Sequence, residues 1–405
     1  MELDAKNKQR AFIFLLIATS LTALAAGLSE GVYGNFYMEV YNVTPGQRGF
    51  IEFPRELPGL IAVFVISMFS FLGEIRLAII AQVLSIIGLI LLGIFTPPFA
   101  IMLIFLFINS MGMHLYMPLK DSIGLNIIGS EDTGRKFGIM NAVRTGSGFI
   151  AGLAVFFGFR SGFFSFEHDV IINFLIATAF FAAVILILVK IRKMIGDPEI
   201  NTGKGRILFR RKYIFYYLLA SLHGAHKQIA GVFGPWVLIS ILLRQADTMA
   251  FLSMLGMFLG IFFIPWAGRM TDKVGVKKMM YAEGFAFIVI YVLFGTFSAG
   301  IVSGSLASVG VPVIIIYVLF IIDRMTMQLG MIRALYLKTI AEDKSEIAPT
   351  LSTGMSLDHA ISIICAFLGG LVWEARGPQY VFFIAAVLSL GNVIVAYKLP
   401  KVVKS

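Results

Sequence analysis

Ionisable side chains interrupt stretches of this sequence that are otherwise apolar: His114, Arg144, His223, His226, Lys227, Asp323, Arg324, Asp358 and His359 each fall near the middle of a long hydrophobic run. Such groups can pair with one another, hold a charged ligand or exchange a proton. Carboxylates respond strongly to burial and histidine titrates near pH 6.5, so Asp323, Asp358, Glu30 and His359 qualify as proton carriers, with Asp323 foremost. The plainer reading of a histidine on a packed helix is a hydrogen-bonded structural residue. Glu52, Arg55 and Glu56 share one helix face at i, i+3 and i+4 spacing, where Arg55 can pair with Glu52. They read either as an outer gate or proton relay, or as an interfacial cluster close to water. Arg144, Asp323, Arg324 and Asp358 could equally form ion pairs that only lock helices together.

Enzymatic chemistry finds little footing. There is no G-x-x-x-x-G-K-[ST] stretch to cradle a nucleotide. His223 and His226 are spaced i, i+3, but no carboxylate or cysteine accompanies them in the same run, so neither a metal nor another cofactor is expected. The single cysteine, Cys365, lies inside an apolar run and cannot found a disulfide framework.

The elements that must carry these groups are membrane spans. Of 405 residues, 58% are hydrophobic and 14% charged, against roughly 45–50% and about 25% in soluble domains. Apolar runs near 20 residues recur along the whole chain, each about the length a helix needs to cross hydrocarbon. They predict twelve helices near 11–34, 47–72, 76–95, 98–128, 135–159, 169–193, 211–242, 247–270, 277–298, 309–340, 349–372 and 377–397. The runs are apolar all round rather than alternating, which excludes a β-barrel.

The net charge of +10 reports topology. Lys and Arg gather at both termini and in the loops after even-numbered spans, whereas the opposite side carries only Arg48, Arg160, Arg244 and Arg376. By the positive-inside rule both termini are cytoplasmic. No basic block is interleaved with aromatics, so no nucleic-acid partner is expected. A polar, basic stretch divides the chain into an N-terminal six-helix bundle (1–193), a cytoplasmic linker (194–210) and a C-terminal six-helix bundle (211–405).

The halves repeat. Gly31-Val32-Tyr33-Gly34-Asn35-Phe36 answers Gly231-Val232-Phe233-Gly234-Pro235-Trp236, and the run from Asn109 to Leu115 answers that from Asp323 to Leu329. Gly148 and Gly152 answer Ala366 and Gly370. Three matches in the same order indicate a parallel duplication, with a pseudo-two-fold axis along the membrane normal and a solute path between the halves. By sign, Arg144, Lys227 and Arg324 exceed Asp323 and Asp358 at mid-depth. Lys227 has no evident local acid, which leans the reading towards an anionic solute.

Between spans 8 and 9 the sequence Gly268-Arg269-Met270-Thr271-Asp272-Lys273-Val274-Gly275-Val276-Lys277-Lys278 resembles the G-x-x-x-D-[RK]-x-G-x-[RK]-[RK] loop of the major facilitator superfamily. The resemblance implies an all-α fold of twelve transmembrane helices in two six-helix bundles. It also implies secondary active transport of a small molecule by alternating access in the plasma membrane, with H+ as the expected coupling ion and a monomer as the expected state. Helices 1, 4, 7 and 10 line the cavity in that family, which would make His114, His226, Lys227, Asp323 and Arg324 the solute-binding residues. In the loop, Gly268 would permit close helix approach and Asp272 would cap a helix or pair with a cation, while Gly275 completes the motif. Glu52, Arg55, Glu56 and Arg144 would serve gating or structure. The loop between spans 2 and 3 departs from the pattern, being reduced to Gly73-Glu74-Ile75-Arg76 without the aspartate. No arginine precedes His114 and span 5 lacks a Gly-Pro pair, which weakens a drug/proton antiporter. A lipid or lysolipid translocator on the same scaffold is the other alternative.

Overall fold

Hydrocarbon offers no partner to a bare backbone amide, so a chain this apolar can cross a bilayer only as helices or a closed barrel. The computed structural model of the chain describes residues 5–128, 133–168, 170–200, 209–341, 343 and 346–399, and every regular element among them is helical. In chain order these are α1 (Ala5–Ser29), α2 (Tyr33–Tyr41), α3 (Pro45–Met68), α4 (Glu74–Ile94), α5 (Phe99–Ile128), α6 (Thr133–Arg160), α7 (Ile172–Ile195), α8 (Ile214–Gln228), α9 (Gly234–Trp236), α10 (Ala246–Val274), α11 (Val276–Val302), α12 (Val311–Met327), α13 (Met331–Ile340), α14 (Ile347–Arg376) and α15 (Pro378–Lys398). Most of the predicted linker, residues 201–208, lies outside the described residues.

Ten helices among the described residues are long and apolar enough to cross a membrane. Two further predicted spans, 47–72 and 211–242, are helical as well but differ in kind. The first is α3, 24 residues long and loaded with Arg48, Glu52, Arg55 and Glu56. The second is a helical run in which α8 and α9 alternate with π-helical turns at Ile229–Phe233 and Val237–Ile241. Pro235 supplies a reason: without an N–H it cannot bond the carbonyl of Gly231, so the α ladder gives way to wider turns. The matching copy of the repeat, Gly31 to Phe36, also falls on an irregularity, the 3-10 turn Glu30–Val32 between α1 and α2.

The chain divides into two compact units. Unit 1 comprises residues 1–41, 57–203 and 246–251, and unit 2 comprises 42–56, 204–245 and 252–405. Within unit 1, α1 packs against α6 and α7, and α4 against α5 and α7, around a core that includes Leu15, Ile75, Tyr116, Ile123 and Leu188. Within unit 2, α14 packs on α8 and α11 on α15, around Tyr213, Met280, Ile332, Tyr336 and Leu337.

Helix ends are closed by charge. Gly73 adopts φ 84° and ψ 158° before α4, and Gly275 adopts nearly the same backbone, φ 89° and ψ 155°, between α10 and α11. Both conformations belong to the region that favours glycine, and their likeness extends the internal repeat to the backbone. The aspartate missing from the loop before α4 is replaced from the other end of unit 1. Asp197 accepts a hydrogen bond from the Ile75 amide at 2.8 Å and pairs with Arg192 at 3.1 Å and Arg76 at 3.3 Å. A carboxylate at a helix N-terminus meets unpaired N–H groups and the positive end of the dipole. The corresponding joint in unit 2 is closed by the opposite charge, since Lys277 Nζ donates to the carbonyls of Tyr397 and Leu399 at 2.9 and 2.6 Å, at the end of α15.

Two expectations for the motif loop need correction. A Cβ on Gly268 would meet only Met331 Cε at 3.7 Å, an ordinary contact, so close helix approach does not demand glycine there. Asp272 is exposed near the C-terminal end of α10 and has no hydrogen bond or ion pair among the described residues. It sits at the wrong end of its helix to cap, and Gly275 occupies the N-cap of α11.

Glu346, ahead of α14, gathers Lys212 at 2.8 Å together with Tyr213 and Arg210. Hydrogen bonds from Lys212 and Tyr213 hold its carboxyl below the ordinary value of 4.5. A carboxyl depressed in the folded state stabilises it at pH above that ordinary value, and the contribution is lost as pH falls through the lower folded value. Glu346→Gln is therefore expected to lower the melting temperature in detergent at pH 7, and the gap to wild type should close in acid; a gap independent of pH would contradict this.

Candidate functional site

Within unit 2 the first part of α3 (45–56) meets α14, and α14 meets α8, through glycine. A Cβ on Gly49 of α3 would lie 2.2 Å from the Ala366 carbonyl oxygen of α14, and one on Gly224 of α8 would lie 2.4 Å from the Asp358 carbonyl oxygen. Small residues let helix backbones touch in a bilayer, where hydrophobicity alone does not drive helices together. The Ala366 and Gly370 pattern noted in the sequence lies at the first crossing, with Gly370 against Pro45 and Gly49. Ser362 Oγ donates to the Gly224 carbonyl at 3.0 Å and secures the second.

These crossings bring five ionisable side chains into one hydrogen-bonded string. His223 Nδ1 lies 2.7 Å from Asp358 Oδ1, and Asp358 Oδ2 accepts from Lys227 Nζ at 2.9 Å. Lys227 also donates to Glu56 Oε2 at 2.8 Å, and His359 Nδ1 lies 2.7 Å from that same oxygen. His223 and Lys227 stand one turn apart on α8 and so face α14 together. The adjacent residues Asp358 and His359 diverge, one towards α8 and the other towards α3. With carboxylate acceptors, both rings donate through Nδ1 and leave Nε2 to take a further proton. With neutral rings the string carries one negative charge in excess. Its members are partly buried rather than sealed, with 14 to 29% of each side chain exposed.

A second ion group occupies the first turns of α3. Glu52 Oε1 accepts from Arg48 and Arg55, each at 2.7 Å, so the expected Glu52–Arg55 pair forms. Glu56 leaves that group for the string. Arg48, counted by the sequence among the charges of the outer side, is buried in the helix, with its guanidinium 5.9 Å from the Trp236 ring centroid.

The structure disperses the remaining candidates. His226 is buried and stacks on Phe287 at 4.3 Å between ring centroids, while Tyr291 Oη donates to the buried Asp323 at 3.2 Å. In this conformation neither residue is open to a solute, so contact there requires the helices of unit 2 to part. Arg324 lies over the Phe320 ring at 4.5 Å. His114 turns back on its own helix, with Nδ1 2.9 Å from the Ser110 carbonyl. Glu30 is exposed at the 3-10 turn after α1. Arg144 is exposed and makes no ion pair among the described residues, so the suggested pairing of Arg144, Asp323, Arg324 and Asp358 does not form. His223 and His226 point to different neighbours, which removes the basis for a shared metal.

One inference from the sequence is overturned: Lys227 does have acids, two of them, contributed by α3 and α14. The imbalance that pointed to an anionic solute through Lys227 is therefore neutralised. Glu283 escaped notice altogether, although it is an acid inside a predicted span; it is 1% exposed on α11, with Oε1 lacking a hydrogen-bond partner among the described residues.

The long apolar helices define an integral multi-pass membrane protein. No family model matches the sequence and no curated protein matches it, but solved structures do. A crystal structure of the nucleoside transporter NupG superposes with TM-score 0.75 at 15% identity over 96% of this chain and 100% of that one. A POT family transporter in complex with a thioalcohol conjugated peptide gives 0.76 at 12% identity over 98% and 97%. A bacterial homologue of the iron transporter ferroportin, in an inward-facing state, gives 0.70 at 12% identity over 96% and 99%. At these identities the likeness establishes the fold alone.

Removing Lys227 alone would leave two carboxylates sharing a partly buried site. Lys227→Met is expected to cost about 2 kcal/mol, between the values for exposed and buried pairs. Adding Glu56→Gln and Asp358→Asn should recover most of that loss, because the surplus charge goes with them. Thermal unfolding in detergent checks both; a triple variant no more stable than Lys227→Met would count against charge balance as the cause.

Proposed function

We propose that this chain is a secondary active transporter, moving a small organic solute by alternating access and coupling that movement to protons. It works with twelve spans in two six-helix bundles, divided at 194–210, as a monomer in the plasma membrane with both termini cytoplasmic. The observation that carries the coupling is the string His223–Asp358–Lys227–Glu56–His359. It joins three helices through groups whose hydrogen bonds depend on protonation, in a chain with a transporter fold. A proton added to Glu56 or Asp358 removes a negative charge that pairs with Lys227 and weakens that bond, and one added to either free Nε2 cancels the excess negative charge. Each event changes how firmly α3, α8 and α14 are tied, which is what coupling requires of a two-state element.

Transport by proteoliposomes across an imposed pH gradient tests this. The panel comprises nucleosides, dipeptides, organic anions, organic amines and lysolipids. One class of soluble solute is expected to exchange across the bilayer. Glu56→Gln and Asp358→Asn should retain solute-for-solute exchange while losing accumulation driven by the pH gradient. Accumulation unchanged in both variants would remove the string from the coupling, and movement of lysolipid alone would assign the chain to lipid translocation.

A further inference from the structure

Helix α6 shows one continuous packing face with a gap in it. At about 100° per residue, Met140, Ser147, Ala151, Val155 and Gly158 fall within an arc of about 80°, and all five are buried. Contacts fix the direction of this arc. Ser147 Oγ lies 2.7 Å from Ser20 Oγ of α1, and a Cβ on Gly27 of α1 would strike Ala151 Cβ at 2.4 Å. Met140 lies beside Gly124 of α5, as does Leu15 of α1. Arg144 sits inside the arc, a turn from Met140 on one side and from Ser147 on the other, and yet it is exposed.

An exposed residue in the middle of a buried stripe marks a break in the packing of that face. Asn141, Ala142, Thr145 and Gly146 are exposed too, so α6 is open around most of this turn, with Asn141 and Thr145 as its polar members. The guanidinium lies well inside a 27-residue span and makes no ion pair among the described residues. A cation at that depth costs at least about 2.5–3.5 kcal/mol unless water or an anion answers it. The planar fork of arginine is suited to a bidentate oxyanion, whereas Lys227 is already neutralised by Glu56 and Asp358.

We propose that Arg144 anchors an oxyanion group of the solute, a carboxylate or a phosphate, in a water-filled gap of unit 1 beside α1. The proposal rests on the transporter reading for its solute, but the gap and the binding can be read without transport.

The test has two parts. In a Cys365→Ser background reconstituted in lipid nanodiscs, Arg144→Cys is treated with a charged, water-soluble maleimide and compared with Ile150→Cys. Ile150 is 58% exposed on α6, about 120° around the helix. Rapid labelling at 144 and slow labelling at 150 is expected; equal, slow labelling would place Arg144 against lipid and overturn the proposal. Purified wild type, Arg144→Lys and Arg144→Gln are then melted with succinate, citrate, glutamate, inorganic phosphate and a nucleoside monophosphate. At least one oxyanion should raise the melting temperature of wild type. Its affinity should fall about tenfold or more in Arg144→Gln, as expected for a lost charge-assisted bond, and less in Arg144→Lys. Stabilisation unchanged by Arg144→Gln, or none from any oxyanion, would overturn the anchor. Labelling at 144 with no flux in liposomes would count against the transport reading and leave the anchor standing.

Discussion

A charge drawn partly out of water must be answered by another charge, and Lys227 is answered twice. Much of unit 2 follows from that requirement. Both carboxylates must reach one ammonium, so α3 and α14 have to come within side-chain reach of α8, and long side chains at the crossings would hold them apart. Glycine at 49, 224 and 370 removes that obstacle and brings backbone against backbone. His223 then serves the second oxygen of Asp358, while His359 shares Glu56 Oε2 with Lys227. Close packing and charge pairing are two sides of one constraint in this unit, and neither survives without the other.

The spans were legible because hydropathy over about 20 residues is a local property, and the helices found here lie where the apolar runs place them. The candidate site was legible only in its ingredients. Lys227 was recognised as a buried cation, but its acids come from helices remote in sequence, 171 positions away for Glu56 and 131 for Asp358. No local pattern announces such a pairing. The sequence did signal Glu52 and Arg55, because i, i+3 neighbours on one helix must meet. It misassigned Asp272, since a motif states which residue is present and not which end of a helix it occupies. Asp197 shows the converse: the role the motif reserves for an aspartate near α4 is filled from beyond α7, across more than 100 residues of chain.

The polar groups of unit 2 fall into two kinds with different mechanical meaning. The string around Lys227 is partly open and made of flexible side chains, so it can be remade at modest cost. The set formed by His226, Phe287, Tyr291 and Asp323 is sealed by aromatic stacking and helix packing. Breaking the first requires only proton movement and a small separation of helices, whereas reaching the second means opening a packed core. In unit 1 the exposed Arg144 is of neither kind, making no ion pair among the described residues.

The joint between α14 and α15 is one residue, Gly377. Two helices tethered so tightly cannot slide along each other, and the freedom left to α14 is to swing about that end. At 1.5 Å per residue Asp358 stands about 28 Å from the joint, so a swing of about 5° carries it about 2.5 Å. That displacement takes a 2.9 Å contact well beyond hydrogen-bonding range. A swing of α14 about that end would act as a long lever, with its charges far out on the arm, so that a small angular change would part both the string and the Gly224 crossing.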